Sequence, residues 1–130
     1  MTEKLTTEDL TITALKAHKE VDPNGLDIHS PGAKVDHGKV YADSILAGFP
    51  RALWGVCEVG TFGANKYSLN GWQSVDAGIR RYREAAARHR LKRQMGEEVD
   101  PDSGLPHEYH EAWNVLAALE LTLRANEQAG

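Results

Sequence analysis

The chain has a single cysteine in 130 residues, Cys57, so no internal disulfide can form. A lone thiol without a CxxC partner excludes a disulfide scaffold and fits a reducing compartment. Set in an apolar pattern, Cys57 is expected to be a buried, inert thiol. Long hydrophobic runs are also missing. The longest, around 45–59 and 115–123, fall short of a membrane span. The opening MTEKLTTEDL lacks the basic-then-apolar order of a signal peptide. There is no alternating β-branched run and no hairpin dipeptide between apolar runs, which argues against a sheet. No GxxxxGK[ST], GxGxxG or GxSxG occurs, so the common phosphate loops and the nucleophile elbow are excluded. Basic charge is not in excess either: the net charge is −4, which weighs against a general nucleic-acid binder.

What remains is a chain of ordinary globular composition, 41% hydrophobic and 26% charged, long enough for one domain with a real core. Its charge is uneven. Residues 80–93, RRYREAAARHRLKR, hold seven of the 15 basic residues against one acid, which leaves eight bases against 18 acids elsewhere. One cationic helix in an acidic chain suggests a local partner: phosphate, an acidic surface of another subunit, or nucleic acid.

Periodicity predicts helices. TTEDLTITALKAHKEV (6–21) has caps and an apolar stripe, and DPNG at 22–25 ends it. HSPGAKVDHGKV (29–40) reads as a loop. From about Asp43 or Pro50 to Tyr67 the pattern is helical, with Leu46, Leu53, Val56 and Cys57 apolar, and Gly60 and Gly63 marking close packing or a helix end. SLNGW (68–72) is a turn. Val75, Ile79, Tyr82, Ala86 and His89 form the inner stripe of a helix over roughly 74–95. After a polar loop at 95–106, a third helix runs from His107 to about Ala125. The expected fold is all-α: a compact bundle of three to four helices, completed by oligomerisation. Residues 1–32 read as a variable lead-in and 33–126 as the helical domain.

The chemistry concentrates in DPDSGLPHEYHEAWN (100–114). His107, His110 and Asn114 recur at helical spacing, so they share one face, next to Asp100 and Asp102 in the preceding turn. Asp100, Asp102 and Glu111 fall at positions 1, 3 and 12 of a calcium loop, but the glycine is at position 5 and Pro106 at position 7, so the EF-hand pattern fails. Two readings stay open: a turn that caps a helix, or a cluster that contacts metal or substrate. His89 could face the same row across the bundle. Arg81 and Arg88, seven apart, are the cations best placed to reach a phosphate. Lys66, Tyr67 and Trp72 sit at a helix end and turn, an arrangement that suits either the helix dipole or a base and its phosphate.

Several motifs recur together in order: KxDxGK (34–39), EVxTFGANKY (58–67), NGW (70–72), RY (81–82), RH (88–89), GE (96–97) and DPDSGLPHxxHxxxN (100–114). In this ordered series the chain resembles the phage-encoded N-terminal domain family of dATP/dGTP diphosphohydrolases, relatives of the all-α MazG-like nucleotide pyrophosphohydrolases. The resemblance covers about 33–124. It implies an all-α fold and a metal-activated water that splits a deoxynucleoside triphosphate into monophosphate and pyrophosphate. The implied cofactor is a divalent metal, Mg or Mn, and the imidazoles also admit Zn, Fe, Co or Ni. On this reading Glu58, Asp100, Asp102, His107 and His110 are metal ligands or orient them, and His89 and Asn114 serve catalysis. Lys34, Asp36, Lys39, Lys66, Arg81 and Arg88 contact substrate, and Tyr67 or Trp72 stacks on the base. The expected partner is a purine deoxynucleotide, with a homo-oligomer, no membrane, and nucleic acid only through the 80–93 helix. The expected location is the cytoplasm, that of a bacterial host for a phage protein. The alternatives are a non-catalytic nucleotide-binding module and an assembly protein whose basic helix docks on an acidic partner.

Overall fold

A computed structural model describes residues 21–129. Among them the chain forms four α-helices: α1 (Ala42–Leu46), α2 (Pro50–Lys66), α3 (Gly78–Gln94) and α4 (His107–Ala129), with a 3-10 turn at Gly71–Ser74. No strand occurs among the described residues; an isolated antiparallel bridge joins Val99 to Pro106. The architecture is the expected all-α bundle. The helix expected over 6–21 lies outside the described residues but for Val21. No helix among those described is long and apolar enough to cross a membrane.

Local chemistry sets the boundaries. Pro50 at the first position of α2 separates it from the single turn of α1, so the pattern beginning at Asp43 is two helices rather than one. Lys66 lies in the last turn of α2, where a cation meets the negative end of the dipole. Asn70 and Ala77 both take left-handed φ values (62° and 53°), and this delays α3 to Gly78 instead of the expected 74. At the other end of α3, Gly96 has φ 101°. Its N–H donates to the carbonyl of Arg93, and that of Glu97 donates to Lys92. The two bonds make a Schellman stop, which fixes where Glu97 leaves the helix. Upstream, the Asp22 carboxylate accepts from the N–H groups of Asn24, Leu26 and Lys34 and closes the 22–34 loop on itself.

The core is built of small side chains. Val59, Ala86, Ala117 and Ala118 are the buried hydrophobic residues. Small residues let α3 and α4 approach closely: a Cβ added at Gly78 would stand 3.1 Å from Leu121 Cδ1. α2 seats on α4 through glycines as well. A Cβ at Gly55 would lie 2.9 Å from the Tyr109 ring, and one at Gly60 would lie 3.1 Å from Trp113 Nε1. Of the two readings of Gly63, the helix end stands, since its carbonyl accepts from the Tyr67 N–H and nothing lies within 4 Å of an added Cβ. One expectation needs correction here: Cys57 is exposed, not buried. The cause is the register of α2, whose buried positions are Gly55 and Val59. A glycine supplies a contact that an apolar pattern does not reveal, and this turns Cys57 outward.

Candidate active site

α2, α3, α4 and the 67–76 connection enclose an open cleft of about 1490 Å³. His89 from α3 and His110 and Asn114 from α4 line its floor, with Asp100 and Asp102 from the loop before α4. Lys66, Tyr67, Trp72, Arg81 and Arg88 stand around it. The fold therefore brings together ten of the residues that the sequence nominates. The other five lie elsewhere. Lys34, Asp36, Lys39 and Glu58 do not line the cleft, and His107 lies behind His89. A smaller hollow of about 440 Å³ at the start of α3, between Ile79 and Arg83, carries no imidazole.

The imidazoles are packed against one another. The rings of His89 and His110 stack at 4.5 Å with 12° between planes, and Phe62 meets His110 edge-on. His89 Nδ1 lies 2.8 Å from His107 Nδ1, and His107 Nε2 lies 2.8 Å from Glu97 Oε1. Two stacked imidazolium ions would repel each other in a half-buried place. Burial pushes His89 down to about 4, helped by the neighbouring His110 and His107 and opposed by Asp100. Burial also lowers His110, despite the pull of Asp100. Both rings are neutral at neutral pH.

A serine fixes the proton on His110. Ser103 Oγ is 2.9 Å from Asp100 Oδ2, 3.1 Å from the N–H of Leu105 and 2.6 Å from His110 Nε2. A carboxylate only accepts, so the hydroxyl donates its one proton to Asp100. Its lone pairs then accept from Leu105 and from His110, so His110 carries its proton on Nε2. Burial pushes the Asp100 carboxyl up, but bonds from Ser103 and the nearby imidazoles bring it below its ordinary value. Asn114 donates from Nδ2 to the His110 carbonyl at 2.8 Å, which leaves its oxygen as an acceptor.

Lys66 and Asp102, nominated for phosphate and metal respectively, pair with each other at 2.8 Å across the cleft mouth. Trp72 has less freedom than its sequence neighbourhood suggests. It meets Tyr82 and Trp113 in edge-on contacts, and Arg124 lies over its ring at 5.7 Å. Tyr67 is 78% exposed, with Lys66 Nζ over its ring at 5.4 Å. The metal set nominated from sequence is split. Asp100 and His110 lie 3.5 Å apart with Ser103 between them, Asp102 is spent on Lys66, and Glu58 is outside. Among the described residues no three His, Cys, Asp or Glu side chains come together to hold a metal. The donors present therefore do not fit a resident metal centre; the cleft carboxylates could at most complete the shell of a cation already held by phosphates.

Two residues of this site stand in the motif series without a role assigned from sequence: Ser103 in DPDSG and Glu97 in GE. The signal for Glu97 was the helix stop at Met95-Gly96, which places the next acid beside the start of α4.

A family model described as dATP/dGTP diphosphohydrolase, N-terminal, matches residues 29–129. No curated protein and no solved structure matches the chain.

Proposed function

The chain belongs to the dATP/dGTP diphosphohydrolase N-terminal family, and from that premise we propose that it hydrolyses a purine deoxynucleoside triphosphate to monophosphate and pyrophosphate. One observation carries this reading: two neutral, stacked imidazoles open onto the same cleft as four cations, Lys66, Arg80, Arg81 and Arg88, and an exposed tyrosine ring. Lys66, Arg81 and Arg88 would hold the triphosphate, the guanidiniums by paired hydrogen bonds. Tyr67, 78% exposed at the cleft edge, would stack on the base. Asn114 would orient the attacking water through its free carbonyl oxygen. His89 would take the proton from that water. Its resting value of about 4 makes it neutral and able to accept. An anionic triphosphate in the cleft would raise that value toward the range where a general base works best.

A divalent cation, Mg²⁺ or Mn²⁺, would enter only with the substrate as its phosphate complex, where it would supply charge neutralisation. The exposed apolar side chains of α4, Val115, Leu116 and Leu119, support association with a second copy. The split of the nominated metal set favours a second reading, a module that binds the nucleotide without cleaving it.

Incubation with each common ribo- and deoxynucleoside triphosphate, with Mg²⁺ or Mn²⁺, separates the two when products are resolved by chromatography. Turnover of purine deoxynucleotides, lost in His89→Ala with the fold intact, is expected. No product with either metal, alongside a thermal shift on adding dGTP, would leave the binding module as the function.

A further inference from the structure

His89 does not meet the cleft alone. Behind it stand His107, 2% exposed, and Glu97, and the three make an unbroken line: His89 Nδ1 to His107 Nδ1 at 2.8 Å, then His107 Nε2 to Glu97 Oε1 at 2.8 Å. Donor and acceptor roles along this line are not free. The Glu97 carboxylate only accepts, so His107 carries a proton on Nε2. With one N–H per ring and that of His107 on Nε2, His107 Nδ1 is the acceptor. The contact between the two Nδ1 atoms then requires the proton to sit on His89 Nδ1. That leaves His89 Nε2 with its lone pair. Among the described residues no hydrogen bond reaches this nitrogen. Nor is it a buried orphan, since Arg93 Nε is the only such side-chain atom among the described residues. Solvent therefore reaches it from the cleft that His89 lines.

We propose that Glu97 and His107 are positioning residues that hold His89 as the Nδ1–H tautomer and so keep Nε2 available as the base of the hydrolytic reaction. The proposal rests on the hydrolase reading above. The step balances simply. The water oxygen bonds to phosphorus, its proton passes to His89 Nε2, and the breaking P–O bond leaves its electron pair on pyrophosphate. The imidazolium formed keeps its Nδ1–H on His107, whose own N–H, at Nε2, faces Glu97, so the new positive charge is opposed through the line. Glu97 owes its place to the Schellman stop at Gly96, which returns the chain toward α4.

The test is a long-range 1H–15N correlation spectrum of the 15N-histidine-labelled protein at pH 8, with His89 assigned by loss of its signals in His89→Gln. The expected result is a proton on Nδ1 and a pyridine-like Nε2. Glu97 is 45% exposed, so its variants should fold. In Glu97→Ala the two tautomers of His89 should mix, and kcat should fall about 10- to 100-fold at unchanged KM. Glu97→Gln, whose carbonyl oxygen can still accept from His107, should restore both. A proton on His89 Nε2 in the wild type, or wild-type spectra in Glu97→Ala, would overturn the proposal whether or not the chain turns over nucleotide. Wild-type kcat in Glu97→Ala would also overturn it. The expected spectra without turnover would leave the tautomer line standing and sink the hydrolase reading alone.

Discussion

Alanine at Gly55 and alanine at Gly63 make the same chemical change in the same helix, and the structure assigns them opposite signs. Both gain up to about 1 kcal/mol of helix propensity. At Gly63 nothing lies within 4 Å of the added Cβ, so that gain stands. At Gly55 the Cβ would come within 2.9–3.0 Å of three Tyr109 ring atoms, including Cγ. Carbon atoms prefer about 3.5–4.0 Å, so the overlap is on the order of 0.5–1 Å. Cγ lies at the base of the side chain and cannot swing clear, so the ring must tilt or α2 must back away from α4. Overpacking of this kind costs about 1–3 kcal/mol. The net for Gly55→Ala is a loss of about 0–2 kcal/mol, against a gain of about 0.5–1 kcal/mol at Gly63. For a domain of this size 1 kcal/mol moves Tm by roughly 4 °C. Thermal unfolding followed by far-ultraviolet circular dichroism should therefore place Gly55→Ala several degrees below Gly63→Ala. Equal melting temperatures, or a more stable Gly55→Ala, would refute the close seating of α2 on Tyr109. Adding Tyr109→Ala should abolish the difference.

Acid should weaken the fold in two stages. His89 is lowered from 6.5 to about 4 by burial and by its two imidazole neighbours, so the unfolded chain binds the extra proton between those values. The stability it contributes is complete above about pH 6.5 and is lost as pH falls toward 4. Discounted for partial exposure, the loss is about 1–2 kcal/mol. Asp100, also lowered, adds a further loss below its ordinary carboxylate value. His89→Gln should flatten the first stage in denaturant titrations across that range, and an unchanged slope would refute the neutral, stacked imidazole. Gly96→Ala forces a Cβ into φ 101°, which should cost about 1–2 kcal/mol in the same assay. It should also lower kcat by displacing Glu97; a variant that loses stability but keeps full activity would count against Glu97 as a positioning group.

The row His107–His110–Asn114 was legible because helical spacing alone puts the three on one face, and His89 was legible because it continues the stripe of Tyr82 and Ala86. That the two rows meet follows from a bundle with short connections. The partners were not legible. Ser103 and Asp100 touch His110 because a tight loop folds back over the start of α4, with Asp100 N–H donating to the Leu105 carbonyl at 2.9 Å. The Lys66–Asp102 pair spans 36 positions and depends on how two helix ends converge. Cys57 misled because the contact face of α2 is made by Gly55 and Gly60, residues that carry no hydrophobic signal. Trp72 lines the cleft, but its contact with Arg124 was not legible because Arg124 comes from the far end of the chain.

The ion pair across the cleft mouth makes the empty site a crude counter of charges. With Asp102 in place, Lys66 already has an anion, so an incoming ligand exchanges one partner for another. The pair is exposed and screened by solvent, so it sets only a low threshold. A single inorganic phosphate, able to engage Lys66 and little else, recovers barely what it displaces. A triphosphate that reaches Arg81 and Arg88 in the same act overcomes that threshold with contacts to spare. If the proposed hydrolysis holds, this exchange would bias the cleft against smaller anions and toward the intact polyanion before any base is read.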